Sequence, residues 1–417
     1  MSLDFLVHPN GPLRGEVEIS GAKNSVLKLM AATLLAPGHY SLTNVPDIVD
    51  VRLMAELLRS MGSTVVEGKA ALAIDTPEDT IPEAPYELVA KMRASIVVMG
   101  PLVARMGSAR ICLPGGDDFG QRPIDLHIQG LQDLGVEFLQ TESYLEVKTS
   151  ELIGGTVELR FPSVGATENI LMAAVLARGT TVIENAAREP EICDLADFLV
   201  DMGAKVRGAG TSSIEVEGVG QLHGADHEVV ADRIEAATYL AALSVARGEL
   251  HLQGANAQHM DMLLAKLSEM GMKITPTDDG IKAATSGRLR SVDFSTLPYP
   301  GVATDYKPLL VAALTVAEGT GMVTENLFGD GRFKYVAELE RMGANVHTNE
   351  HHAIVRGVEQ LKGARVCAHD IRAGAALVVA ALRAEGDTYV EHGEHIDRGY
   401  TDFAAKLNAL GADVSRV

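Results

Sequence analysis

Tryptophan is absent from the 417-residue chain, and aromatic residues make up only 4% of it. Its cores must therefore be filled by Ala, Leu, Val, Ile and Met, and the hydrophobic content of 47% allows this. Cysteine is also scarce. Cys112, Cys193 and Cys367 form no CxxC pair, which predicts reduced core thiols rather than disulfides or zinc ligands.

Long apolar runs and an excess of positive charge are missing as well. No run approaches the roughly 18 to 20 residues of a membrane helix, and the start MSLDFLVHPNG lacks the features of a signal peptide, so we expect a cytoplasmic protein without a membrane partner. The net charge of -20 argues against nucleic acid as a partner. An anionic substrate would need a local cluster of Arg and Lys.

A repeated unit of about seventy residues is present instead. Each unit has an apolar run, a glycine, a short strand, a turn and an amphipathic helix that ends at a second glycine. The first glycines recur every 67 to 72 residues, at Gly38, Gly107, Gly179, Gly248, Gly319 and Gly386. The helix-ending glycines recur every 68 to 73 residues, at Gly62, Gly135, Gly203, Gly271, Gly343 and Gly411. Six units therefore account for the whole chain.

Each unit also contains a helix that is apolar nearly all round, which predicts burial. These segments are SVLKLMAATLLA, SIVVMGPLVA, ENILMAAVLA, EAATYLAALSVA, YKPLLVAALTVA and AGAALVVAALRA. Buried helices inside a layer of strands and amphipathic helices reverse the arrangement of a doubly wound sheet. Six units most simply form two domains of three with a cleft between them, and we expect the N-terminal strand Leu3 to Val7 to pair with the last units.

Duplicated α/β units could also form a solenoid for protein binding, but a solenoid would not place distinct charged clusters at its unit junctions. Several such clusters stand immediately before a buried helix: GAKN, RAS, SVGATEN, ATD and DIRAGA. Helix N-termini offer free N–H groups and a positive dipole end. Together with Arg and Lys they favour a substrate with several negative charges, such as phosphate plus carboxylate.

The segment LPGGDDFGQRPIDLHIQGL, from Leu113 to Leu131, combines three glycines, two adjacent acids and an Arg-Pro pair without apolar periodicity. One interpretation is a mobile loop that brings a proton donor and a cation to a bound anion. The other is a surface hairpin with solvated charges.

The motifs SGAKNS, MRASI, LPGGDDFGQRPIDLH, FPSVGATENI, NAAREPE, ATDYKP, DIRAGA and HIDRGY together resemble those of the enolpyruvyl transferase family. RPIDLH and FPSVGATEN are similar to its uridine-nucleotide branch, the UDP-N-acetylglucosamine 1-carboxyvinyltransferases. The resemblance covers essentially the whole chain. It implies a two-domain inside-out α/β barrel of six βαβαββ repeats, with one domain formed by residues 1–21 and 231–417 and closed by the chain ends, and another by residues 22–230 with a mobile loop at 113–125.

The resemblance also implies a reaction. The 3′-hydroxyl of UDP-N-acetylglucosamine adds to C2 of phosphoenolpyruvate while C3 is protonated, and the tetrahedral ketal then expels phosphate, in the first committed step of peptidoglycan synthesis for the cell wall. Asp117 stands where most members carry cysteine and is expected to be the general acid, kept protonated by Asp118 and desolvation. Asp305 matches the aspartate proposed to accept the hydroxyl proton, with Lys23 as a third catalytic residue.

The remaining site residues follow by the same resemblance, and no cofactor or metal is implied. The cations around phosphoenolpyruvate and its leaving phosphate are Lys23, Arg93, Arg122, Arg372 and Arg398. The UDP-sugar contacts are Asn24, Arg93, Arg122, Pro123, Ile124, Asp125, Leu126, His127, Ser163, Val164, Gly165, Asp305, Leu327 and Phe328.

The chain departs from the family pattern in three places. This chain has Asp117 where most family members have cysteine. The difference predicts insensitivity to thiol-alkylating epoxides such as fosfomycin, because a carboxylate is a far poorer nucleophile than a thiolate. Val302-Ala303 replaces the usual Phe-Pro, and LFGDGRF has one residue more than usual between Phe328 and Arg332. The last two lie beside the expected sugar pocket and leave the acceptor sugar open.

Three other functions stay open. The chain could be an enolpyruvyl transferase of specialised metabolism that acts on another uridine nucleotide such as UMP, or a catalytically silent paralogue that binds nucleotide, although Lys23, Asp305 and Arg398 are all present. A metal enzyme would need ligands such as His392 and His395, or His351 and His352, but no Cys or carboxylate spacing completes such a site.

Overall fold

The computed structural model describes residues 4–89, 92–112, 124–140, 144–328 and 332–417, without the side chains of residues 93–95 and 140. The strands are β1 Phe5–His8, β2 Leu13–Glu18, β3 Gly38–Thr43, β4 Thr64–Gly68, β5 Ala71–Thr76, β6 Glu83–Ala84, β7 Ser108–Cys112, β8 Glu137–Gln140, β9 Tyr144–Lys148, β10 Thr156–Glu158, β11 Thr180–Glu184, β12 Lys205–Arg207, β13 Ser213–Glu217, β14 Asp226–Glu228, β15 Gly248–Gln253, β16 Lys273–Thr277, β17 Gly280–Thr285, β18 Phe294–Ser295, β19 Thr320–Thr324, β20 Asn345–Asn349, β21 His352–Arg356, β22 Arg365–Cys367, β23 Thr388–Glu391 and β24 Asp413–Arg416.

The α-helices are α1 Lys23–Ala32, α2 Val49–Ser60, α3 Tyr86–Val89, α4 Met99–Met106, α5 Asp125–Asp133, α6 Val164–Ala174, α7 Pro190–Asp201, α8 Arg233–Ala246, α9 Asp261–Met270, α10 Lys307–Thr315, α11 Val336–Arg341, α12 Ile371–Ala381, α13 Glu394–Asp397 and α14 Phe403–Ala409. Short 3-10 turns cover Thr33–Leu35, Arg93–Val98, Ala257–His259 and Thr304–Tyr306. Among the described helices, none combines the length and apolar character needed to span a bilayer.

The described strands form six four-stranded sheets with one common pattern. In each sheet an edge strand pairs in parallel with its neighbour, and the other two strands add in antiparallel fashion, as in the order β10-β11-β13-β12. The repeated sequence unit therefore produces a repeated sheet, and the α/β fold class with six related units is confirmed.

The chain groups into two compact units. One contains the residues up to Ser20 together with Ala231–Val417, and the other runs from Gly21 to Val230, apart from the segments that are not described. In the first unit β1 pairs antiparallel with both β23 and β24, so the predicted pairing of the N-terminal strand with the last repeats is confirmed. In the second unit β14 returns to pair with β3 and joins the third repeat to the first.

Helices fill the centre of each unit. Every residue of α8, α10 and α12 is buried, and these three helices contact one another. In the other unit α1, α4 and α6 take the equivalent place, and nearly all of α1 and α6 is buried. The apolar helices of the sequence thus lie inside, while α2, α7 and α9 bury one face only.

Two details differ from the predictions. The segment SIVVMGPLVA is not one helix, since a 3-10 turn over Arg93–Val98 precedes α4. Pro101 has no N–H and suits the first turn, which favours a helix start just before it. Of the three cysteines, only Cys112 is buried. Cys193 lies on the outer helix α7 and Cys367 on the short strand β22, and each is half-buried because its element leaves one side open. All three thiols are free.

Candidate active site

The predicted site residues of the 21–230 unit begin at the start of α1. Lys23 is the first residue of this helix and is only 8% exposed, and its Nζ lies 2.8 Å from Oδ2 of Asp50 on α2. One turn later, Lys28 Nζ donates to the backbone oxygen of Asn24 at 2.7 Å. The first turn of α1 is therefore held from two sides, with a cation next to the free N–H groups of a helix start.

A second group lies where α5 and α6 pack together. His127 on α5 is buried, and Gly165 on α6 makes room for it, because a Cβ at Gly165 would lie 3.0 Å from Cε1 of the His127 ring. Ser163 caps α6, and its Oγ accepts from Ala166 N at 3.4 Å. The structure thus brings Ile124–His127 and Ser163–Gly165 together, two groups that the resemblance assigns to one nucleotide.

Asn169, which was not predicted as a site residue, orients His127. Its Oδ1 accepts from Gly100 N at 2.8 Å, and its Nδ2 donates to Ile96 O at 3.1 Å, so the amide orientation is determined. Nδ2 therefore also donates to His127 Nδ1 at 2.8 Å, which places the proton of the neutral ring on Nε2. The only sequence signal for Asn169 was its position in the motif FPSVGATEN.

Arg160 is a further residue that the predictions missed. Its guanidinium pairs with the carboxylate of Asp125, the first residue of α5. Both side chains are exposed by 40% or more, so the pair orients Asp125 rather than adding much stability.

In the other unit the central contact joins Asp305 and Arg372. Asp305 lies in the 3-10 turn before α10, and its Oδ1 accepts from Arg372 Nε at 3.2 Å. Asp370 caps α12 by accepting from the backbone N–H groups of Arg372 and Ala373, at 2.9 and 2.8 Å. The contact between Asp305 and Arg372 therefore connects the 3-10 turn before α10 to the first turn of α12.

Arg372 is 4% exposed, and Cζ of its guanidinium lies 5.3 Å from the centre of the Tyr400 ring. Its Nη1 has no hydrogen-bond partner among the described residues. Gly399 lies next to it, since a Cβ there would be 3.4 Å from Nη1, so Arg398 and Arg372 belong to one neighbourhood. A buried donor without an acceptor suits an anionic ligand.

A buried ion pair supports the same region. Lys307 and Glu325 are each 1% exposed in their side chains, and Nζ lies 2.7 Å from Oε2. Glu325 also accepts from Thr304 Oγ1 at 2.8 Å and from Leu327 N at 2.9 Å. Burial disfavours its charge, yet Lys307 holds the pKa of Glu325 below its ordinary value. The carboxylate therefore connects the neighbour of Asp305 to the segment with Leu327 and Phe328.

Phe328 lies under the guanidinium of Arg332, 4.0 Å from Cζ to the ring centre. This contact spans the place where the chain has one residue more than the family pattern. Among the predicted residues, Asp117, Arg122 and Pro123 and the side chain of Arg93 lie outside the described residues. Within the described part of the chain, no group of three or more His, Cys, Asp or Glu is arranged to hold a metal ion.

The comparisons with known proteins agree with one another. Residues 7–407 match the family model of EPSP synthase (3-phosphoshikimate 1-carboxyvinyltransferase). UDP-N-acetylglucosamine 1-carboxyvinyltransferase of Corynebacterium jeikeium is 48% identical over 417 residues, with 100% of both chains covered. UDP-N-acetylglucosamine 1-carboxyvinyltransferase 1 of Caldanaerobacter subterraneus is 47% identical over 418 residues, also with 100% of both chains covered.

Among solved structures, the enolpyruvyl transferase NikO of Streptomyces tendae superposes with a TM-score of 0.90 at 26% identity, over 99% of this chain and 98% of NikO. The fold, the repeat pattern and the full-length identities lead to one conclusion: the chain belongs to the enolpyruvyl transferase (EPSP synthase) family, in the branch of the UDP-N-acetylglucosamine 1-carboxyvinyltransferases.

Proposed function

We propose that the protein transfers the enolpyruvyl group of phosphoenolpyruvate to the 3′-hydroxyl of UDP-N-acetylglucosamine and releases phosphate. The observation that carries this proposal is the identity of 47 to 48% over full length with relatives of that name. Such a reaction would begin peptidoglycan synthesis.

Bond changes in this reaction define what the side chains must do. In the addition step the 3′-oxygen bonds to C2, the hydroxyl proton leaves and C3 gains a proton. In the elimination step the bond from C2 to the phosphate oxygen breaks and C3 loses a proton. A base for the alcohol, an acid for the carbon and cations for the phosphate are needed.

Asp305 is the proposed base, with its carboxylate oriented by Arg372 Nε. This guanidinium holds the carboxylate in place, and its Nη1 is a donor for the phosphate or carboxylate of the donor substrate. Lys23 and Arg398 are the further proposed phosphate ligands, with Arg93 and Arg122. Asp117 is the proposed acid.

The uridine nucleotide is assigned to the α5 and α6 group. Ile124–His127 and Ser163–Gly165 offer backbone groups beside the helix start of α6, where the N–H groups favour an anion such as a diphosphate. His127 presents Nε2–H as a donor because Asn169 occupies Nδ1. Leu327 and Phe328 are the proposed contacts to the sugar.

An acceptor assay tests the proposal. Purified protein is mixed with phosphoenolpyruvate and either UDP-N-acetylglucosamine or UMP, and phosphate release is measured. We expect release with the nucleotide sugar. Phosphate release with UMP but not with UDP-N-acetylglucosamine would show that UMP is the acceptor. Nucleotide binding without any phosphate release would indicate a catalytically silent paralogue.

An inhibitor assay tests Asp117 separately. A carboxylate at this position should leave turnover unaffected after incubation with fosfomycin, whereas an Asp117→Cys variant that remains active should lose turnover with time, because its thiolate can be alkylated. Time-dependent inactivation of the unmodified protein would contradict the predicted insensitivity.

A further inference from the structure

A cavity of about 940 Å³ lies on the outer face of the sheet formed by β2, β15, β17 and β16. It is lined by none of the residues of the candidate active site. Five cations surround it: Arg14, Arg247, Lys273, Lys282 and Arg383. Only two acids, Glu16 and Glu249, share the lining, so this cavity is positive in a chain whose net charge is -20.

Sheet register explains why the cations converge. One row of paired residues crosses the four strands in the order Arg14 on β2, Glu249 on β15, Ala284 on β17 and Lys273 on β16. Lys282 lies in the next row of the same face, opposite His251. Neighbouring strands are about 4.8 Å apart, so long side chains from these two rows can reach one ligand.

These five cations have no salt bridge to the described residues. Glu16, in contrast, is engaged by Gln253 Nε2 at 2.8 Å and lies 3.4 Å from His251 Nδ1. The pKa of Arg247 is lowered by its partial burial and by the nearby charges of Arg383 and Arg288. Five cations against two carboxylates, one of which already accepts from Gln253, leave an excess of positive charge that favours an anion between them.

Arg247 adds an independent observation. It is the one residue between α8 and β15, and it has φ 64° and ψ 175°, a backbone region used almost only by glycine. The connection explains this geometry, since Arg247 N donates to Leu243 O and Arg247 O accepts from Leu13 N, both at 2.9 Å. Glycine would satisfy the same two bonds without strain, so the connection does not account for the guanidinium.

We propose that this cavity is a second ligand site, which binds a compact anion with two or more phosphate groups. Its volume is that of a small-molecule site, roughly 300 to 1,000 Å³. Extended polyanions such as nucleic acid would meet the negative surface of the rest of the chain, whereas a compact ligand would not. The site is independent of the proposed enolpyruvyl transfer.

Calorimetric titration with sodium tripolyphosphate, at about 0.15 M ionic strength, tests the site. We expect binding to the unmodified protein and about a tenfold loss of affinity for each of Lys273→Ala and Lys282→Ala, because each removes one charge-assisted contact. Lys362→Ala, an exposed lysine of the same unit outside the cavity, should bind like the unmodified protein. Absence of binding, or equal binding by the Lys273→Ala/Lys282→Ala double variant, would overturn the proposal.

Arg247→Gly separates binding from folding. It removes the guanidinium and the backbone strain together, so tripolyphosphate should bind about tenfold more weakly while the thermal unfolding midpoint stays the same or rises. Unchanged affinity would remove Arg247 from the site. A lower midpoint would show that Arg247 stabilises the connection, so that its strained backbone would no longer support a ligand site.

Discussion

Lys28 Nζ lies 3.5 Å from Oε1 of Glu168, inside the unit of residues 21–230. Glu168 is fully buried, and neither of its carboxyl oxygens accepts a hydrogen bond from the described residues. Burial raises the pKa of Glu168 to about 7, with Glu191 and Glu189 on the α7 side adding to the shift and Lys28 opposing it. Because Lys28 also donates to Asn24 O, the pair supports the first turn of α1.

This raised pKa predicts a pH-dependent stability. The carboxyl of Glu168 binds its proton more tightly in the folded than in the unfolded protein. Proton binding therefore stabilises the folded state by its full amount below the ordinary pKa of 4.5, and this contribution is lost as the pH rises to about 7. The loss is about 3 kcal/mol at about 1.4 kcal/mol per pKa unit. The glutamine of Glu168→Gln cannot ionise, so this variant should not lose that stability. Between pH 5 and pH 8 its free energy of unfolding, measured by urea unfolding, should rise relative to that of the unmodified protein by roughly the same amount.

Glu158→Gln is the matched control, because Glu158 is an exposed carboxyl of the same unit. Its stability should follow that of the unmodified protein across the pH range. Parallel curves for Glu168→Gln and the unmodified protein would show that the buried carboxyl does not titrate in this range.

The buried pair Lys307–Glu325 predicts a different result. Lys307→Met leaves Glu325 buried without its cation, which should cost about 3 to 5 kcal/mol in urea unfolding. The double variant Lys307→Met/Glu325→Gln should recover part of this loss, because no unpaired buried charge remains. A double variant as unstable as the sum of both single variants would contradict this explanation. Lys362→Met, at an exposed site, should change stability by less than about 0.5 kcal/mol.

Asp305→Asn tests the proposed base. The amide cannot accept the hydroxyl proton, so turnover should fall by about 100- to 10,000-fold, while binding of the nucleotide sugar changes little. Phosphate release and calorimetric titration measure these two effects. Asp278→Asn, an exposed aspartate of the same unit, should retain turnover. Retained turnover in Asp305→Asn would remove Asp305 as the base.

Gly21→Ala tests the close approach that precedes α1. A Cβ at Gly21 would lie 1.8 Å from the backbone oxygen of Asn44, so the chain must shift, at a cost of about 1 to 3 kcal/mol in free energy of unfolding. Gly11→Ala is the matched control, because a Cβ at Gly11 meets nothing within 4 Å. Equal stability of both variants would show that the Gly21 segment has room to adjust.

Local features of the fold could be predicted from the sequence. All twelve glycines that mark the repeats have positive φ, from 68° at Gly107 to 151° at Gly38. The clusters before the apolar segments do lie at helix starts: Lys23 begins α1, Ser163 caps α6, and Asp370 caps α12. Composition and spacing determine such features because turns, caps and apolar faces depend on residues within a few positions of one another.

The contacts that orient the candidate site could not be predicted in this way. Arg372 meets Asp305 across 67 residues, Asn169 meets His127 across 42, and Glu325 accepts from Thr296, Thr304 and Lys307, which lie 18 to 29 residues away. Arg160 and Glu168 likewise gain their roles only from partners on other elements.

The sequence by itself thus determined six related α/β units, their buried helices and the residue types placed at the helix starts, because each depends on short-range periodicity and backbone preference. Only the tertiary structure decided which carboxylate faces which cation, which histidine nitrogen carries the proton and where unpaired cations collect. Those outcomes depend on the packing of elements far apart in the chain, where burial and a few tenths of an ångström set the electrostatic energies.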